Sequence, residues 1–229
     1  MSATPLSAIR NAPVHPLLCL YAADAPQRPA LEAFVHARYA DTYQADVTHF
    51  LPYLLATRHE DSLQGVVGLR PGASGAFFVE QYLDAPIEQM IAANRGLPVD
   101  RSQIIETGNL AANRGGSQLL FVVLTEVLHR AGYRWITFTA TGQVISLLHK
   151  LCFEPQVLCA ADPQRLGEQL RDWGTYYDQQ PCVVIGDLLP AHQTLQQNEF
   201  VQKLLGLYEN EIAELAEVLR AAREAREHE

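Results

Sequence analysis

Hydrophobic and polar positions between residues 103 and 153 spell out one supersecondary unit. Ile104 and Ile105 start an apolar strand that runs into Glu106, Thr107, Gly108, Asn109 and Leu110. A polar loop with paired glycines follows (Asn113, Arg114, Gly115, Gly116, Ser117), and the pattern then predicts a helix over about 118–130. The run Trp135-Ile136-Thr137-Phe138-Thr139 predicts a second strand, and a further helix stops at Lys150, ahead of Pro155. A strand feeding a glycine loop at a helix N-terminus aims backbone N–H groups, and the positive end of the helix dipole, at whatever lies over the loop. An anionic phosphate is the usual occupant.

The rest of the chain fits around this unit. Residues 14–21 predict a short strand. Pro29 can open a helix over 30–43, in which Leu31, Phe34, Val35 and Arg38 fall at i, i+3, i+4 and i+7. Residues 52–56 and 63–69 predict an antiparallel hairpin across the charged turn 58–62, and 71–75 a turn. Residues 77–83 predict another strand, followed by a helix opened by Pro86 and reaching about 94. Strands at 157–160 and 182–185 flank a short helix at 163–170. The count is about seven strands in a mixed sheet with helices on both faces, an α/β fold.

From Val201 the apolar positions Val201, Leu205, Tyr208, Ile212, Leu215, Leu219 and Ala222 are spaced alternately by four and three, a heptad seam with charged flanks. It predicts an amphipathic helix over about 195–223. Such a helix either lies on its own domain or pairs with a second copy in a homodimer. The organisation expected is a loose segment at 1–13, one domain over 14–190, and a C-terminal helical element over 191–229.

Composition narrows the class. Of 229 residues, 48% are hydrophobic, enough for a sizeable core. No apolar run approaches the roughly 20 residues that span a bilayer. The first ten residues lack a basic head and an apolar signal core, which points to the cytoplasm. A net charge of −9 lacks the basic footprint that nucleic acid requires. Four of those charges come from 190–229, where eight Glu face one Lys and three Arg. The cysteines (Cys19, Cys152, Cys159, Cys182) form no C-x-x-C and sit in apolar segments, so buried free thiols are expected. Eight scattered histidines without an H-x-x-x-H pair give no metal site.

The order strand, loop, helix, strand, helix, closing on Lys150-Leu151-Cys152-Phe153, resembles the acyl-coenzyme-binding core of GNAT-type N-acyltransferases. Over residues 14–188 the chain resembles the thermostable hemolysin family, a group with a GNAT-like fold related to acyl-homoserine lactone synthases. The residues that carry this are Phe78-Val79-Glu80-Gln81-Tyr82-Leu83, Ile105-Glu106-Thr107-Gly108-Asn109-Leu110-Ala111 and Trp173-Gly174-Thr175-Tyr176-Tyr177. Where the synthases read Glu-x-Ser-Arg-Phe, this chain keeps Glu106 but has Gly108 and Asn109 for the Ser and Arg. That departs from their pairing of S-adenosylmethionine with an acyl-carrier protein. Of the usual phosphate motif, Gln/Arg-x-x-Gly-x-Gly/Ala, the chain offers Ala111, Arg114 and Gly116, and only the last agrees.

The resemblance implies a GNAT-like acyltransferase, moving an acyl group from an acyl-CoA or acyl-carrier-protein thioester to the amine of a small molecule. The thioester is a co-substrate, and no cofactor is permanently bound. The alternative is a non-catalytic or membrane-active protein that keeps the fold for binding. Amide formation needs a base to take the amine's proton, and a carboxylate in an apolar strand is costly unless paired or functional. Glu106 and Glu80 are therefore the candidate bases, unless Arg70 or Arg101 merely pairs with one of them. Tyr176 is a candidate proton donor to the leaving thiolate, or a packing residue. Asn109, Leu110 and Ala111 are expected to form the rail for the pantetheine arm, with Arg114, Gly115, Gly116 and Ser117 at the phosphates.

Overall fold

The computed structural model describes residues 16–60, 62–113 and 115–225. The expected loose segment 1–13, the start of the strand at 14–21, and Arg114 lie outside the described residues.

Seven strands form one mixed sheet: β1 (Leu17–Tyr21), β2 (Tyr53–His59), β3 (Ser62–Pro71), β4 (Ile104–Ala112), β5 (Trp135–Ala140), β6 (Gln156–Ala160) and β7 (Cys182–Asp187). Their spatial order is β1-β2-β3-β4-β5-β7-β6, and β4 with β5 is the parallel pair. That pair needs a crossover, which α3 (Gly116–Arg130) supplies. The other helices are α1 (Arg28–Tyr43), α2 (Ile87–Arg95), α4 (Gly142–Lys150), α5 (Leu188–Gln196), α6 (Glu199–Gly206) and α7 (Glu209–Glu224).

Strand alternation divides the core. Leu55, Val67, Leu69, Ile105, Ile136, Phe138 and Val184 pack under α3 and the C-terminal helices. Their sequence neighbours face the other way. Leu54, Ala56 and Val66 meet Leu31 and Val35 of α1, and Ile104, Trp135, Val183 and Ile185 meet Phe77, Val79, Ile87 and Ile91. Arg28, itself buried, ties α1 to the segment before β2 by donating to Leu51 O and to Pro52 O (2.8 Å).

Three expectations are corrected. Residues 77–83 do not form a strand; Phe78–Tyr82 is a 3-10 turn. The Glu80 carboxylate accepts the N–H of Phe77 (2.8 Å) and of Ile87 (3.1 Å), giving this segment local partners in place of a ladder. The helix expected over 195–223 is broken into α5, α6 and α7: Asn198 caps α6 through Phe200 N–H (3.1 Å) and Val201 N–H (3.2 Å), and α6 ends at Gly206. Its seam faces inward, with Leu205, Tyr208, Ile212, Leu215 and Leu219 all buried in the chain's own core. The apolar stripe covers the chain's own α3 and β1, the first of the two arrangements that the spacing allows. The third concerns the free cysteines: Cys152 is exposed and the other three are half-buried.

Candidate active site

β4 and β5 part company early. Their register holds only for Ile104, Ile105 and Glu106 against Trp135, Ile136 and Thr137, although β4 continues to Ala112 and β5 to Ala140. β5 follows β7 along its whole length, while β4 stays with β3. A wedge therefore opens beyond Glu106.

A bulge in β4 shapes one side of it. Val66 pairs with Ala111 but Gly68 with Gly108, so Asn109 and Leu110 stand opposite Val67 alone. Asn109 takes the left-handed conformation (φ 48°), which asparagine tolerates better than most residues. Its side chain holds the bulge: Oδ1 accepts Leu51 N–H (2.9 Å), and Nδ2 donates to His49 O (3.1 Å). A Cβ on Gly68 would stand 2.8 Å from that Oδ1, so the neighbouring strand needs glycine there. The extra residue also reverses the facing of the strand beyond it: Ala111 packs towards α1 with Val66, whereas Ile105 lies under α3.

The wedge holds a cavity of about 160 Å³. Glu106, Asn109, Leu110 and Tyr176 line it, as do Arg70 and Thr139. Tyr39 and Tyr43 of α1, with Phe78 and Trp173, form an aromatic wall in which Tyr176 stands 5.2 Å from Tyr43 and 5.3 Å from Trp173, centroid to centroid. The Tyr176 hydroxyl donates to Thr139 Oγ1 (3.2 Å), and burial raises its pKa, which keeps it protonated.

Glu106 is 2% exposed. Its Oε1 accepts Val79 N–H (2.8 Å), while Oε2 is buried and has no hydrogen-bond partner. The nearest cation is Arg70, with Nη1 at 3.6 Å from Oε2, beyond a normal hydrogen bond. Burial pushes the carboxyl up to about 7, against the lowering pull of the Phe78 and Val79 N–H groups and of Arg70. A carboxyl poised near neutrality, with one bare oxygen in a cleft, has the properties of a general base.

Glu80 differs in every respect. It is absent from the cavity lining, and Arg101 clasps it through both nitrogens, Nη1 to Oε1 (2.6 Å) and Nη2 to Oε2 (2.9 Å). Burial would raise its pKa, but Arg101 and the Ile87 and Phe77 N–H groups outweigh it and hold the carboxyl below its ordinary range. Arg101 also bonds Glu88 (2.8 Å) and the carbonyl of Gly75 (2.8 Å), and lies over the Phe77 ring. Glu80 is thus the centre of a structural clasp.

The loop that follows β4 sits at the open end of the wedge. Gly115 has φ 84°, and a Cβ on Gly116 would be 2.8 Å from Gln64 O, so the tight entry into α3 requires glycine. Gly116 N–H bonds Asn113 O (2.9 Å), and Ser117 follows in the first turn, whose N–H groups lack intrahelical partners. Ala111 is buried against α1, so only its backbone can face a ligand. Sequence reasoning passed over Arg38, whose guanidinium reaches this loop by donating to Asn113 Oδ1. It also passed over Tyr39, Tyr43 and the segment holding His49, Phe50 and Leu51. Tyr39 stands one turn after Val35 on the apolar face of α1, a signal that was available; the 49–51 segment has no periodicity to announce it.

A family model described as thermostable hemolysin matches residues 21–192, about three quarters of the sequence. The chain belongs to the thermostable hemolysin family. No curated protein matches this family member. Among solved structures it is similar to the acyl-homoserine lactone synthase LasI (TM-score 0.51, 10% identity, covering 76% of this chain and 90% of that one). It is also similar to BjaI, a CoA-dependent acyl-homoserine lactone synthase solved with SAM and isopentyl-CoA (0.51, 13%, 86% and 90%). A third is FeeM, an N-acyl amino acid synthase from uncultured soil microbes (0.51, 13%, 82% and 98%). The hemolysin-family chain shares their fold, the GNAT-like mixed sheet expected from its sequence. Among its described residues no helix is long and apolar enough to cross a membrane.

Proposed function

We propose that this chain is an N-acyltransferase, moving an acyl group from an acyl-CoA or acyl-carrier-protein thioester to the amine of a small molecule, with Glu106 as the base. The observation that carries this is the buried, unpartnered Oε2 of Glu106 at the point where β4 and β5 separate. The fold shared with acyl-transferring synthases supports it.

The residues divide the work as follows. The pantetheine arm would enter the wedge from the loop end and pair with the backbone of Asn109, Leu110 and Ala111, on the edge of β4 that β5 leaves beyond Glu106. The donor's phosphates would meet the first turn of α3 at Gly115, Gly116 and Ser117, with Arg114 and Arg38 supplying charge. Glu106 takes a proton from the amine as its nitrogen attacks the thioester carbon. The tetrahedral intermediate then collapses by breaking the C–S bond. The Tyr176 hydroxyl protonates the departing sulfur, leaving amide and free thiol, and the two protons re-equilibrate with water.

Arg70 gives the acceptor a second handle. It lines the cavity beside Glu106 and spends one donor on Ala76 O (2.8 Å), so an acceptor carrying an anionic group near its amine suits the pair. The test is to incubate the protein with acyl-CoAs and a panel of amines and amino acids, following thiol release and the amide by mass. Amide formed by the parent and lost in Glu106→Gln supports the reading. Saturable binding of neither acyl-CoA nor acyl-carrier protein overturns it in favour of a binding protein.

A further inference from the structure

A second cavity lies on the α3 side of the sheet. It has a volume of about 240 Å³, opens to solvent at one end, and is lined chiefly by apolar side chains, among them Leu124 of α3, Ile136 of β5, Leu148 of α4, Phe153, and Leu188 and Ala191 of α5. Leu124, Leu148, Phe153 and Leu188 are all buried. Apolar surface left uncovered in this way is stabilised by an apolar guest that takes it out of water. Two residues, Phe121 and Phe138, line this cavity and the catalytic wedge alike. Phe138 is the residue next to Thr137, which pairs with Glu106, so the shared wall begins beside the base.

The roof of the cavity is α5, which contributes Leu188, Pro190, Ala191 and Thr194. It is held down by the buried Glu126 of α3, which accepts Arg130 Nε (2.7 Å) and Gln196 Nε2 (3.4 Å) and lies 3.1 Å from His192 Nε2. Glu126, His192 and Gln196 are themselves absent from the cavity lining, in which Thr125 and Thr194 bring hydroxyls among otherwise mostly apolar side chains.

We infer that this cavity houses the hydrocarbon tail of the acyl donor, so that the chain takes straight aliphatic acyl groups well beyond acetyl and α5 limits their length. The inference rests on the acyl-donor reading above. A thioester carbonyl held beside Glu106 projects its acyl chain away from the pantetheine arm. The adjoining opening of apolar character is the one behind Phe121 and Phe138. The rim residues Arg95, Glu154 and Asp187 mark where the aliphatic lining gives way to charge, and with it the end of the favourable path.

The test reads affinity, so it needs no acceptor. Free CoA and its butanoyl, octanoyl and dodecanoyl thioesters are titrated calorimetrically into the parent and into Ala191→Trp and Thr194→Trp, each checked for cooperative thermal unfolding. In the parent, affinity should climb with chain length by up to roughly fourfold per methylene until the cavity is full. The dodecanoyl-to-butanoyl affinity ratio should fall at least tenfold in the folded tryptophan variants. A parent ratio near one, or a ratio the variants leave untouched, overturns the tail site while the donor reading stands. Failure of free CoA and every thioester to bind overturns both.

Discussion

Glu106 and Glu80 have similar sequence surroundings, each preceded by apolar residues (Ile104-Ile105 and Phe78-Val79), and Glu106 is buried while Glu80 is half-buried. The structure treats them as opposites. Glu80 receives two guanidinium nitrogens and two backbone N–H groups, so its charge is neutralised and it stays ionised. Glu106 keeps an empty oxygen and sits 3.6 Å from a cation that does not close on it. A buried carboxylate whose partners are complete holds segments together; one left incomplete in a cleft is available for chemistry.

The largest expected effect separates the two by rate. Glu106→Gln keeps the shape and the bond from Val79 but removes the base, and acyl transfer should fall by roughly 10²–10⁴. Glu80→Gln should change the rate per folded molecule little. Should both variants transfer at the parent rate, the distinction collapses.

Stability should sort them the other way. Removing the Glu80 charge leaves Arg101 short of its main partner, a loss of about 2–3 kcal/mol, reduced from the roughly 3–5 of a fully buried pair because both groups retain some exposure. Denaturant unfolding of Glu80→Gln checks it, and Arg101→Ala combined with it should be markedly non-additive.

The pH dependence sharpens the contrast. The Glu106 carboxyl is raised from an ordinary 4.5 to about 7 in the folded protein. Between those values the native state binds more protons than the unfolded one, so stability falls as pH rises through this window and levels off above it. Glu106→Gln should remove that decline and be the more stable protein above pH 7, by on the order of 2 kcal/mol. The transfer rate of the parent should instead rise through about pH 7 as the base ionises. Glu80, held below its ordinary range, contributes stability above that range that is lost only in acid.

The smallest effect belongs to Tyr176. Its hydroxyl already has Thr139 as a partner, and water or another group can protonate a thiolate, a good leaving group. Tyr176→Phe should slow transfer by about tenfold or less, below the roughly 10²–10⁴ of an indispensable general acid or base, measured against unchanged thermal unfolding.

How far this could be read from the chain follows from range. The strands and helices over 104–150 were legible because apolar period, glycine loop and proline stop agree locally. The 77–83 segment misled because its apolar run reads as a strand, while the interactions that fold it, Glu80 with Arg101, span 21 residues. The C-terminal seam was real, but periodicity cannot say which surface covers it, and here α3 does. At the site, Glu106 and the Asn109 region were visible as departures from pattern. The bulge that makes them useful depends on Gly68 and on Leu51, and no local signal joins those three.

The most direct test is the ionisation of Glu106 itself. Carboxyl infrared difference spectra of carbon-13-glutamate-labelled protein, recorded against Glu106→Gln across pH 3 to 10, isolate its titration. A midpoint near 7, with Glu80 already ionised throughout the neutral range, is the result expected. A Glu106 midpoint near 4.5 would mean that the carboxyl is as well satisfied as Glu80 and would remove the ground for calling it the base.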